Sequence, residues 1–96
     1  MSNTECIGWS DFAGREGRAY TLQAGGDLHE VTLEHAKHLG GAIRAGGSFR
    51  LAFRGPCEPV LPQAVYRLQG EDFDGEIFLV PISRDDTGTL YEAIFN

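Results

Sequence analysis

Ninety-six residues suffice for one hydrophobic core and not for two, so residues 1–96 are read as a single domain. The 42% hydrophobic content excludes a disordered segment, and the formal charge of −6 argues against nucleic acid or anionic membrane as the main partner, because phosphate binding relies on Lys and Arg. No apolar run approaches the roughly 20 residues needed to cross a bilayer, and residues 1–9 lack the basic start and apolar block of a signal peptide, so the expected compartment is cytoplasmic. In that reducing setting Cys6 and Cys57 are expected to be free thiols.

The first element is a single helical turn within WSDFAGRE (residues 9–16), where Ser10 or Asp11 stands at a cap position and Trp9 and Phe12 are three apart. Gly14 and Gly17 end it. Residues 18–24, RAYTLQA, alternate through Tyr20 and Leu22, and Gly25-Gly26-Asp27 follows as a tight reversal, which predicts a first hairpin. Residues 28–39 are ambiguous: Val31 and Leu33 alternate, while Leu28, Val31, His35 and Leu39 also fit a helical stripe, and strand is preferred for the first half. The glycine pairs of GGAIRAGG (residues 40–47) predict a flexible loop.

Phe49, Leu51 and Phe53 then share one face, with Arg50, Ala52 and Arg54 on the other, the pattern of a half-buried strand. Gly55-Pro56 ends it. Pro59 and Pro62 confine the following connection to a rigid corner, after which Tyr66 and Leu68 resume the inward face on a second strand of the same sheet. IFLVPI (residues 77–82) and LYEAIF (residues 90–95) are apolar on both faces, and Asp85-Asp86-Thr87-Gly88 between them has the residues of a type I turn closed by a glycine bulge. The expected fold is therefore mainly all-β, a small antiparallel β-barrel or sandwich of about six strands with one short N-terminal helical turn.

Charge is unevenly spread, with five basic and one acidic residue in 36–70 and seven acidic and one basic residue in 71–96. Pairing between neighbouring strands would balance these segments at the surface. Arg50, Arg54 and Arg67 are expected outward on two neighbouring strands, where an acidic partner or the acidic turn EDFDGE (residues 71–76) would meet them.

Taken in order, LAFRGP, LPQAVYRL, FLVPI and YEAIFN resemble the signature of a family of small bacterial proteins classed only as a domain of unknown function. The resemblance spans roughly residues 11–96 and is strongest from Phe49 onward. It implies no activity and no catalytic residue, and it points to an accessory or structural role beside tail-fibre-like components of phage-derived particles. The acidic residues 71–76 and the glycine-rich residues 39–48 depart from the pattern.

Reactive chemistry is thinly represented. On one strand His29 and His35 would lie about 20 Å apart at ~3.3 Å per residue, too far to share an ion, and Asp72, Asp74 and Glu76 lack the glycine position and closing Glu of a calcium loop. Cys57 has no base assigned by sequence, and Glu58 beside it opposes thiolate formation. Pro59 and Pro62 match PxxP, but flanking strands make a structural corner the simpler reading. The function expected is a non-enzymatic binding or assembly module with no cofactor and no metal, whose partner is another protein or a second copy of the chain. Phe78 or Val80, and Tyr91 or Phe95, are expected to line that contact, because a barrel core consumes only one face of the last hairpin. The alternative is an acidic inhibitor or immunity-type protein covering a basic enzyme.

Overall fold

The structure, a computed structural model, describes residues 7–39 and 48–95. The predicted glycine-rich loop at 40–47 and Cys6 lie outside them. Six antiparallel strands, β1 (Ala19–Ala24), β2 (Asp27–His38), β3 (Phe49–Gly55), β4 (Ala64–Gln69), β5 (Asp74–Asp85) and β6 (Gly88–Phe95), close into a barrel in the order β1-β2-β3-β6-β5-β4. Alternation carries Tyr20, Leu22, Val31, Leu33, Leu51, Phe53, Leu68, Ile77 and Leu79 inward, where each is almost wholly buried. Closure between β1 and β4 is the narrowest seam, running only from Thr21 opposite Gln69 to Gln23 opposite Arg67.

The N-terminal turn is a short 3-10 helix, Trp9–Asp11. Asp11 stands inside the turn rather than before it, and its carboxylate accepts the Gly8 N–H at 2.9 Å, satisfying one of the orphan donors of a helix start. The turn delivers Phe12 into the barrel, 4.8 Å from the ring of Phe73 and 6.3 Å from those of Phe49 and Phe53. Trp9 packs edge-on to His38 and against Phe49. Both aromatics thus serve the core and the β2–β3 side, leaving the outer face of β5 without that cover.

All of residues 27–38 form strand, including the half that also fitted a helix. A β-bulge between Leu33 and His35 shifts the register against β3, so inward positions pass from Val31 and Leu33 to Ala36. That change of phase breaks strict alternation, and the helical stripe is not a buried face: of Leu28, Val31, His35 and Leu39 only Val31 is buried. The Pro56–Pro62 segment, with a cis peptide bond before Pro59, joins β3 to β4. These two strands are not neighbours. β3 lies between β2 and β6, and β4 between β1 and β5, so the corner crosses one end of the barrel instead of turning within a sheet edge. Tyr66 donates its hydroxyl proton to the Pro62 carbonyl, and the Leu61 N–H donates to the Tyr91 hydroxyl at 3.0 Å. Core tyrosines therefore hold the corner at two consecutive residues, Leu61 and Pro62.

Candidate functional site

β5 and β6 determine the character of the outer surface. On β5, Ile77 and Leu79 face inward, which sends Phe78 and Val80 outward; Phe78 is 51% exposed. Val65 on β4 stands directly opposite Phe78 and is 60% exposed. On β6, Ile94 is 52% exposed, and extending the Val80–Glu92 register by two residues sets it opposite Phe78 on the other flank. Ile82, also exposed, continues the apolar surface along β5. Three adjacent strands thus present one apolar strip centred on Phe78.

Two of the four expected contact residues point elsewhere. Tyr91 is 1% exposed and belongs to the core, where its ring sits 3.5 Å from the position of a Cβ built on Gly55 and its hydroxyl accepts from Leu61. Phe95 is partly buried and stacks on Phe49 at 4.5 Å. The physical reason is parity: Glu92 faces outward to pair with Arg50, so Tyr91, Ala93 and Phe95 fall on the inward set, a signal that the single charged residue of an otherwise apolar run carried. Val65 and Ile94 take their places on the outside. Val65 was legible, since it alternates with the inward Tyr66 and Leu68.

The three arginines do face outward, each already engaged within the chain. Arg50 on β3 pairs with Glu92 on β6, and Arg67 on β4 forks onto Asp74 of β5 with contacts of 2.9 and 2.8 Å. Arg54 forks onto Glu34 of β2, donates to the Thr87 hydroxyl at 2.8 Å and lies 3.6 Å from Asp85. Arg50 and Arg54 share β3, whereas Arg67 is on the non-adjacent β4, so they do not form one basic face on neighbouring strands. Their donated bonds hold Asp74 and Glu34 below their ordinary carboxylate range. The uneven charge of the sequence is balanced across strands.

Beside Arg54 a groove of about 610 Å³ opens between Gly17, Glu30, Thr32, Gly55 and Pro56. The Arg54 fork occupies its polar wall, and neither a cysteine nor a histidine lines it. Cys57 sits outside the groove and donates its thiol to the Asp85 carbonyl at 3.1 Å. Among the described residues no group of three His, Cys, Asp or Glu is placed to hold a metal ion. Nor, among them, is any helix long and apolar enough to cross a membrane.

The fold is a small closed β-barrel, and the outer face of β4, β5 and β6 carries an apolar strip centred on Phe78. The chain belongs to DUF6916, a domain of unknown function, whose family model matches residues 7–95. No curated protein and no solved structure matches it.

Proposed function

We propose that this barrel is a non-enzymatic binding and assembly module that docks on protein through the outer face of β4, β5 and β6. The observation that carries the reading is the exposure of Val65, Phe78 and Ile94 side by side on adjacent strands, with Ile82 exposed further along β5. Single exposed apolar side chains are ordinary, but a contiguous apolar strip on a soluble surface marks an interaction site. The resemblance noted above fits an accessory component of a larger complex such as a phage-tail-like particle. A photo-crosslinking residue at Val65, introduced in cells that make the protein, should give a discrete adduct that Phe78→Glu abolishes. The same residue at Leu28, exposed on the β1–β2 hairpin, should give none. Absence of an adduct from position 65 would remove the support for docking on this face.

The inhibitor reading draws on a different observation: Glu16, Asp27, Glu30, Glu76 and Asp86 make no ion pair among the described residues. Such a protein would bind its basic target with an on-rate that falls steeply with salt, and Phe78→Glu would leave that rate unchanged. Docking through the apolar strip has the opposite signature.

A further inference from the structure

The docking face has a charge pattern unlike that of the rest of the molecule. The arginines bordering the strip are neutralised in place, Arg67 by Asp74 on one side and Arg50 by Glu92 on the other. Among the described residues, Glu76 is the one bordering carboxylate without an ion pair. Of the other carboxylates, Glu16, Asp27, Glu30, Asp85 and Asp86 lie near the N-terminal turn, on the β1–β2 hairpin and at the β5–β6 turn, while Glu34, Glu71 and Asp72 are paired with arginines away from the strip and Glu58 at its end is paired with Arg84. The strip is therefore nearly neutral on a chain of formal charge −6. It offers no field to attract a strongly charged stranger, and it is the face through which two copies of this acidic chain can meet with least repulsion.

Area points the same way. Four side chains about half exposed contribute roughly 350 Å² of apolar surface, given the size of aliphatic and aromatic side chains. A standard interface buries about 800 Å² per partner, a little over half of it apolar, so the strip supplies most of the apolar share that one copy must bring. An isologous pair uses the same patch twice and closes upon itself, so a single patch per chain is sufficient. Edge-to-edge pairing is disfavoured: β4 begins at Ala64, opposite Leu79, and the stretch of β5 beyond that pair includes Pro81, which has no N–H to donate. Glu58 of the corner, paired with Arg84 at 2.9 Å, covers the far end of that strand.

Resting on the docking reading above, we propose that the occupant of the strip is a second copy of this chain, packed face to face across a two-fold axis centred near Phe78. Light scattering on the purified full chain over a concentration series should show the apparent mass rising to twice that of one chain. Phe78→Glu and, independently, Ile94→Lys should each weaken association at least about tenfold while the thermal melt stays within a few degrees of wild type; Leu28→Glu should associate as wild type does. In cells, the adduct from a crosslinker at Val65 should contain a second copy of the chain. A wild type that stays monomeric, or variants that associate as tightly as wild type, overturns the self-association. An adduct with a different protein also overturns it while preserving docking through this face. No adduct of any kind defeats both.

Discussion

Gly88 sits at φ +136°, and a Cβ added there would lie 2.2 Å from the carbonyl oxygen of Gly55. The nearest obstacle is backbone of the neighbouring strand, which cannot swing aside as a side chain can, and Arg54 Cγ follows at 3.1 Å. Gly88→Ala should therefore cost about 2 kcal/mol or more through combined φ strain and steric displacement, measured by urea denaturation. Gly70 is constrained for another reason: a Cβ would come within 2.5 Å of the Tyr20 ring, which is buried at the barrel wall. Tyr66→Phe removes only the bond to the Pro62 carbonyl, and the expected loss is about 1 kcal/mol. Gly25, with nothing within 4 Å of a built Cβ, has φ +61°, so its requirement is conformational alone.

The β5–β6 hairpin carries the strongest contrast between two aromatic positions. Phe78 points outward and Tyr91 inward, so the same charge introduced at each must act differently. Phe78→Glu should leave the melting curve nearly unchanged. Tyr91→Glu should unfold the barrel or lower its stability by about 4 kcal/mol or more, because it buries a carboxylate and frees the Leu61 N–H that anchors the corner. Thermal melts of the two variants decide this; equal melts would place both residues on one face. β3 and β2 behave as a unit through the Arg54 fork on Glu34, yet that pair is partly solvated, and Arg54→Gln should reduce stability by less than about 1 kcal/mol in melts at moderate salt.

For the whole molecule, ionisation links stability to pH from both ends. Asp74 and Glu34 are held low by hydrogen bonds from Arg67 and Arg54, and Asp85 by bonds from the hydroxyl and N–H of Thr87. Carboxylates with depressed folded values contribute stability that is present above their ordinary values of 3.8 and 4.5 and is lost as pH falls below them. Burial raises Tyr20 and Tyr66 above 10.0, so their contribution holds below pH 10 and disappears as pH climbs through the folded values. Melting temperature across pH should therefore form a plateau between about 5 and 9.5 that falls on both sides. A steep decline within that interval would contradict these assignments.

Much of this architecture was written locally. Alternation in residues 49–54 and 64–68, the glycine reversal at 25–26 and the turn at 86–87 are short-range signals, because side-chain parity and φ are properties of a residue and its immediate neighbours. Strand, turn and single-layer barrel character followed from them. Tertiary structure alone decided three matters. It placed β3 beside β6 rather than β4, a choice made by closure between segments far apart in sequence. It paired Arg50 with Glu92 and Arg67 with Asp74, because cross-strand neighbours exist only once register is fixed. It also left the outward Phe78 half exposed while covering the outward Ala52 almost completely, because the shielding of an outer-face side chain depends on which neighbours the closed sheet sets beside it. The candidate docking surface was thus half legible: its strands and, through Glu76 and Glu92, the parity of their faces could be read, but which strands lie side by side, and so which outward apolar residues meet in one uncovered strip, was settled only when the sheet closed on itself.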